Sequence, residues 1–306
     1  MNLSIPHIGT ISLAGGHVTC FSPGPDGSLY ALVCTGEPEQ NWIKRNRSCD
    51  WRVLTFHPNG WSSEIFIQNQ QDNFDLVQPL RDGFLLGTRR CKYAGDATVG
   101  NGCLFDNGGQ LLGRILLGDG IADLQTTTTD EIWVSYSDEG IYGNLGWRKP
   151  IGKPGLLRFD VEGKICFRFG GVAGLGPIDD CYALNVVSER ETWLYYYSDF
   201  PIIQISDDCV VQHWASPVEG SSGFAVWRES VVMQDGYETN DWRLVDVSGA
   251  DAVAEDEAIT FRTPEGVTLD AKFARPRGSA IWFLVGEDIY RFDLKSDCLP
   301  LVRTPC

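Results

Sequence analysis

The sequence has few groups that change charge near neutrality. Only four of its 306 residues are histidine (His7, His17, His57 and His213), and they are scattered. A mechanism built on histidine acid–base chemistry has few candidates here. Long apolar runs are missing too: the richest, Ala280–Val285, is far short of the roughly 20 residues that span a bilayer as a helix. The ten cysteines (20, 34, 49, 91, 103, 166, 181, 209, 298 and 306) include no C-x-x-C pair and no neighbouring histidines, so the spacing of a zinc site is absent. The G-x-S-x-G elbow, Walker loop, H-E-x-x-H and dinucleotide fingerprint are likewise absent. Basic residues are few: Lys and Arg number 25 against 41 Asp and Glu, a formal net charge of −16. Phosphate binding is driven by cationic side chains, so neither nucleic acid nor membrane is expected as a partner.

The first residues, Met1-Asn-Leu-Ser-Ile-Pro-His-Ile, have neither the basic stretch nor the apolar run of a secretory signal, which gives the expectation of a cytoplasmic protein. In a reducing compartment the cysteines are read as free thiols that pack as small apolar groups. Cys49, Cys91 and Cys306 are expected to be the exposed ones.

Core-forming material is ample, at 43% hydrophobic and 11% aromatic residues, and it recurs in a pattern. Six copies follow one plan: a short strand, a turn, an aromatic-rich strand, a variable loop, then a hairpin. In the third copy the strands are Ile121–Gln125, Ile132–Tyr136, Leu156–Asp160 and Lys164–Phe169, with turns at Thr129–Glu131 and Val161–Gly163. The other copies begin near Val18, Asn73, Asp180, Gly223 and Leu269. No segment sustains a 3.6-residue period. The expectation is an all-β fold: a six-bladed β-propeller with four-stranded antiparallel blades, filling residues 1–306 as one domain. The last copy lacks an outermost strand, and residues 3–15 hold a spare one. Pairing the two closes the ring and removes an exposed edge.

The phrases Leu157-Arg-Phe-Asp-Val-Glu-Gly-Lys164 and Ile132-Trp-Val-Ser-Tyr136 resemble the NHL-type repeat and its relatives among streptogramin lyases and gluconolactonases. The likeness is a repeat rhythm over the whole chain and closest over about residues 102–170. It implies a propeller and little about activity, because one fold hosts many functions. None of the four histidines falls where the streptogramin lyases use theirs. The acidic and amide set that holds a divalent metal in gluconolactonases has no residue-by-residue match.

In a propeller the second-to-third loops share one face with the connections between blades, and loops on a rigid scaffold carry function. Here these loops are long in the first three copies, about 35–50, 88–101 and 137–154, and short in the last three. The long loops hold Lys44, Arg45, Arg47, Arg89, Arg90, Lys92, Arg148, Lys149 and Lys153 against Glu37, Glu39, Asp50, Asp96, Asp138 and Glu139. Trp42, Tyr93, Tyr142 and Trp147 are interleaved with them. The matching loops of the last three copies hold Asp199, Asp235, Glu238, Asp241, Glu287 and Asp288 and no base. Such a division orients a charged partner. Arg89 and Arg90 are the expected anchors for an anionic group, since arginine grips carboxylate or phosphate with two donors. Lys92, Tyr93, Asp138, Glu139, Tyr142, Asn144 and Trp147 complete the candidate set.

The loop 138–147 is read as a plug that packs on itself rather than as a calcium site, and no metal or cofactor is expected. Asp123, Asp179 and Asp180 lie beside innermost strands and could ring the axial channel, where catalytic carboxylates would show pKa values raised by mutual repulsion. The favoured reading is that they bond to backbone N–H groups, as acids beside strand ends often do. Residues 235–270 hold ten acids and two bases, a solvating surface. The leading reading is a non-catalytic interaction propeller that engages a protein or small anionic ligand through its long-loop face. A carboxylate- or metal-dependent hydrolase or lyase, and an acidic neutralising partner of a basic protein, are the alternatives. No motif decides whether the chain is an enzyme.

Overall fold

The computed structural model describes residues 1–36, 44–60, 62–237 and 239–297, with backbone only at 44–46. Glu37, Glu39, Trp42, Glu238, Cys298 and Cys306 lie outside the described residues, as do the side chains of Lys44 and Arg45. Two short strands come first, β1 (Asn2–Ser4) and β2 (His7–Thr10). Blade 1 is β3 (His17–Pro23), β4 (Leu29–Cys34), β5 (Lys44–Phe56) and β6 (Ser62–Asp72). Blade 2 is β7 (Leu76–Leu80), β8 (Gly83–Gly87), β9 (Gly102–Asp106) and β10 (Leu111–Ile115). Blade 3 is β11 (Ile121–Thr126), β12 (Ile132–Tyr136), β13 (Leu156–Phe159) and β14 (Ile165–Arg168), with the short helix α1 (Asp138–Tyr142) between β12 and β13. Blade 4 is β15 (Asp180–Val186), β16 (Glu191–Tyr197), β17 (Pro201–Ser206) and β18 (Cys209–Ala215). Blade 5 is β19 (Phe224–Trp227), β20 (Ser230–Gln234), β21 (Asp241–Asp246) and β23 (Ile259–Arg262), with β22 (Val253–Ala254) also on β21. Blade 6 is β24 (Phe273–Arg277), β25 (Ala280–Val285) and β26 (Asp288–Asp293), and β2 is its fourth strand. Six four-stranded antiparallel blades define a six-bladed β-propeller.

The expected closure is present: β2 pairs antiparallel with β26, His7 opposite Tyr290 and Thr10 opposite Asp288. The sequence reading missed β1, which pairs parallel with β23 of blade 5 through Asn2–Thr260 and Ser4–Arg262. Between the two strands Ile5 is buried in the core of blades 5 and 6. One decapeptide thus covers two sheet edges.

The fourth-strand hairpins explain the F-D-x-x-G cadence. Asp160 Oδ1 accepts from the N–H groups of Glu162 (3.1 Å) and Lys164 (2.8 Å), and Gly163 takes φ = 80°. Asp106 does the same for Gly108 (2.9 Å) and Gln110 (2.8 Å), with Gly109 at φ = 75°. An aspartate just before the turn, accepting from N–H groups two and four residues on, and a residue tolerant of positive φ within it are what such a turn requires.

The chain divides into two compact units, 11–181 and 1–10 with 182–306. In the first, the opening strands β3, β7 and β11 lie side by side. Gln78 of β7 is fully buried between them. Its Nε2 donates to Ser22 Oγ and Pro23 O (3.1 Å) of β3, and its Oε1 accepts from Thr126 N (3.1 Å) of β11. Around this line Trp51, Phe74 and Phe105 meet edge to face, with centroids 5.4 and 6.0 Å apart. In the second unit Asn185 of β15 has the same role. Its Nδ2 donates to Phe224 O (2.9 Å) and Gly278 O (3.0 Å), and its Oδ1 accepts from Gly278 N (2.7 Å). Trp193 and Trp214 stack at 5.6 Å, and Trp242, Phe261, Phe283 and Phe292 pack between blades 5 and 6. Fully burying one such Phe contributes about 2–3 kcal/mol.

Two expectations are corrected here. The first long loop is shorter than 35–50, because Lys44–Asp50 belongs to β5 and pairs with the end of β6, Lys44 opposite Asp72 and Cys49 opposite Gln70. The polar run 44–50 has no apolar alternation that would mark it as a strand. Cys91 is buried, whereas Cys166 on β14 and Cys209 on β18 are exposed, because fourth strands have no outer neighbour. All eight described cysteines are free thiols, and the Cys34 and Cys49 sulfurs approach to 3.3 Å.

Replacing Asn185 by Ala leaves Phe224 O without its donor and Gly278 N without its acceptor, whereas Gly278 O keeps its bond from Val226 N. Each stranded group costs about 1–3 kcal/mol. Urea unfolding is expected to show a loss of at least about 2 kcal/mol, with Gln78→Leu similar. The exposed Gln68→Ala control stays within about 0.5 kcal/mol.

Candidate functional site

Three segments of unit 11–181 converge on the face of the second-to-third loops: 88–101 between β8 and β9, 116–120 between β10 and β11, and 137–155 between β12 and β13. Asn101 closes the first loop at its base. Its Nδ2 donates to Thr88 O and Gly118 O (both 2.8 Å), and Leu117 N donates to its Oδ1 (3.1 Å).

The two adjacent arginines point into the scaffold. Arg89 Nη1 donates to Ile121 O (3.2 Å) and Ala122 O of β11, and its backbone N–H donates to Asp75 Oδ1 (2.9 Å). Burial pushes the Asp75 carboxyl up to about 6, against the pull of the Arg89 charge. Arg90 grips Asp119 with Nε (3.0 Å) and Nη2 (3.3 Å), while its Nη1 reaches Glu139 Oε1 (2.8 Å). Asp119 is only 2% exposed and also accepts from Cys91 N (2.7 Å). Burial works against the Arg90 charge, but the two carboxylates outweigh it and hold the guanidinium protonated. Burial, with Asp119 beside it, raises the Cys91 thiol to about 11, so this cysteine is no nucleophile.

The third segment is locked onto the first. Trp147 is buried, and its indole N–H donates to Cys91 O (2.6 Å). Tyr93 packs on the Trp147 ring at 4.9 Å, and its N–H donates to Leu145 O (3.0 Å). Asn144 Nδ2 reaches Glu139 Oε1 (3.3 Å), which joins the loop to the Arg90 network. The loop 138–147 therefore packs largely on its neighbour, not only on itself. At its start α1 places Asp138 and Glu139 near Asp180. Burial first, then those two negative charges, lift Asp180 to about 6. The exposed Tyr142 hydroxyl donates to Asp179 Oδ1. Asp123 accepts from Leu124 N (2.9 Å), the backbone bonding expected of such acids.

The structure thus brings Arg90, Tyr93, Glu139, Asn144 and Trp147 into one network. Arg89 lies beside it, and Tyr142 stands on the Asp179 side. Sequence reasoning overlooked Asp119, whose one local cue is its place between Gly118 and Gly120. At the surface of these loops Lys92, Arg148, Lys149 and Lys153 are exposed, and none has an acidic partner among the described residues. Tyr93 and Tyr142 are 46% and 67% exposed. Among the described residues no group of three or more His, Cys, Asp or Glu is arranged to hold a metal ion. No helix there is long and apolar enough to cross a membrane. On the hairpin side of the same unit, a groove of about 410 Å³ between blades 1 and 2 is lined by Tyr30, Thr55, His57, Arg81 and Phe84, residues the sequence reading did not single out.

A profile of the YxzG family matches residues 156–292. A comparison with curated proteins found no match. Among solved structures, one chain of a mitotic checkpoint complex superposes with a TM-score of 0.51 at 8% identity, over 95% of this chain and 94% of that one. A gluconolactonase from Xanthomonas campestris gives 0.45 at 14% identity, over 95% of each chain. The WD40 β-propeller domain of Doa1 gives 0.41 at 9% identity, again over 95% of each. At such identities the likeness is one of fold.

Asp119→Ala leaves Arg90 without its main partner and Cys91 N without an acceptor. A stability loss of about 3 kcal/mol is expected in urea unfolding, because the remaining charge is mostly buried. For Asp180 the folded value lies above the ordinary 3.8, so its contribution to stability is present below about pH 4 and is lost as pH rises through about 6. Asp180→Asn is therefore expected to gain on the wild type progressively between pH 4 and 7. Parallel stability–pH curves contradict this.

Proposed function

We propose that this protein is a non-catalytic interaction propeller, and that its partner, a protein or small ligand bearing carboxylate or phosphate groups, meets the loops of blades 2 and 3. The observation that carries the reading is the arrangement of those loops. Arg90, Asp119, Glu139 and Trp147 tie them to each other and to the blades, and Arg89 anchors the first of them to β11. Lys92, Arg148 and Lys149, which have no acidic partner among the described residues, then stand exposed beside Tyr93 and Tyr142. A surface fixed before binding loses little conformational entropy on association. Tyrosine supplies contact area with few rotatable bonds, and the bases steer an anionic partner.

The roles divide accordingly. Arg89, Arg90, Asp138, Glu139, Asn144 and Trp147 position the surface, and Lys92, Tyr93 and Tyr142 contact the partner with Arg148 and Lys149. Cys91 is held as a buried thiol, and Asp119 is saturated with donors.

The test is affinity capture under native conditions, with the wild type against the triple variant Lys92→Glu, Arg148→Glu, Lys149→Glu. All three side chains are exposed, so the variant is expected to fold with an unchanged Tm. Its capture of the wild-type partner is expected to fall at least tenfold and to lose its dependence on salt. Undiminished capture by the folded triple variant overturns the assignment of this face.

A further inference from the structure

A different surface in the other unit carries tyrosine and negative charge together. Tyr182 of β15 is the centre of a cluster: its ring lies 6.3 Å from Tyr197 with the planes 17° apart, 5.8 Å from Phe200, and 6.1 Å from Tyr237 edge to face. Phe200 is buried and supports Tyr197 at 5.6 Å. Tyr197 is 44% exposed and Tyr237 60% exposed, so two ring surfaces face water. The residues come from the end of β16, the turn before β17, the connection before β19, and the β20–β21 loop.

The local sequence fixes Tyr237 where it is. Gly220 has φ = 75°, and a Cβ there would lie 2.3 Å from the Tyr237 ring. The ring therefore lies flat on a bare stretch of backbone. Glu219 is exposed beside it, its carbonyl oxygen 3.4 Å from where a Gly236 Cβ would be, and Asp199 is exposed beside Phe200. Asp235 is neutralised by a two-donor contact with Arg243. Glu219 and Asp199 have no basic partner among the described residues.

Elsewhere the protein covers its rings with its own cations. Arg158 sits 5.3 Å from the Trp133 ring centroid, Arg291 5.1 Å from Trp282, Lys295 4.9 Å from Trp227, and Arg275 5.4 Å from Phe273. Tyr197 and Tyr237 carry no such cation among the described residues. The negative face of an aromatic ring attracts a cation within about 6 Å, and arginine is favoured because its planar group also stacks.

We infer that the Tyr197–Tyr237 surface, flanked by Glu219 and Asp199, is a binding site for the guanidinium of an arginine side chain on a basic peptide segment of a partner. Charge complementarity selects this occupant: an apolar segment leaves the two carboxylates unanswered, and an acidic one is repelled. The site belongs to blades 4 and 5 and does not depend on the reading of blades 2 and 3.

The probe is a short peptide with two arginines in a Gly/Ser background, titrated against the full chain by NMR or calorimetry. Its controls are the same peptide with lysines or with glutamines. The arginine peptide is expected to bind more tightly than the lysine peptide, and the glutamine peptide not to bind. Tyr237→Leu, which keeps an apolar side chain but removes the ring, is expected to raise Kd about five- to tenfold, and Glu219→Gln severalfold. Gly220→Ala displaces the ring without altering it and is expected to act in the same direction. Glu229→Gln with Asp251→Asn, which removes two exposed negative charges beyond the ends of β20 and β21 opposite the β20–β21 loop, separates the site from diffuse attraction to an acidic protein. That variant is expected to leave Kd unchanged. If it weakens binding as much as Tyr237→Leu does, or if Tyr237→Leu has no effect, the inference is wrong.

Discussion

A single blade cannot bury both of its faces, so this fold depends on how neighbouring first strands are joined. Two buried amides do this, one in each unit. Gln78 joins β3, β7 and β11, and Asn185 joins β15 to β19 and to the β24–β25 turn. Each side chain bonds backbone groups of two other blades. An amide is suited to this because it donates and accepts at once, and a buried network of this kind specifies one geometry when every member is satisfied. Apolar packing between blades supplies the bulk of the stability, and the amides set the register in which it occurs.

The N-terminal decapeptide meets a second constraint, the exposed sheet edge. β2 completes blade 6 and β1 caps blade 5, with Ile5 buried between them. The N-terminal amino group adds an ion pair to Glu257 at 2.6 Å, within the acidic hairpin of blade 5. This gives a structural partner to one residue of a segment that otherwise reads as solvating charge.

Much of this was legible in the sequence because strands advertise themselves by period and by their turns. In the third copy Ile132–Tyr136 matches its strand residue for residue and Ile121–Gln125 to within one residue, the two being separated by the turn formers Thr129 and Asp130. The pairing of β2 with the last blade followed from counting strands. The length of β5 did not, since a two-sided polar ribbon has no alternation to read. The three residues of β1 are too few for any pattern. At the candidate site the loops and their charges were visible, but the direction of each charge was not. Arg90 and Lys92 look alike in sequence, yet one is bound to Asp119, 29 positions away, and the other is exposed. Only the fold brings the 116–120 connection under the 88–101 loop. Cys91 was misread for the same reason: its burial comes from Trp147, a residue of the next blade.

The central claim is that the loops of blades 2 and 3 are a rigid extension of the sheets, held by Arg90, Asp119 and Trp147. Amide hydrogen exchange read by mass spectrometry tests it directly. The N–H groups of Cys91, Tyr93 and Ile121, bonded to Asp119 Oδ1, Leu145 O and Arg89 O, are predicted to exchange as slowly as those of β8 and β12. Exchange of the 88–101 and 137–155 segments within seconds, while the strands stay protected, would contradict the account.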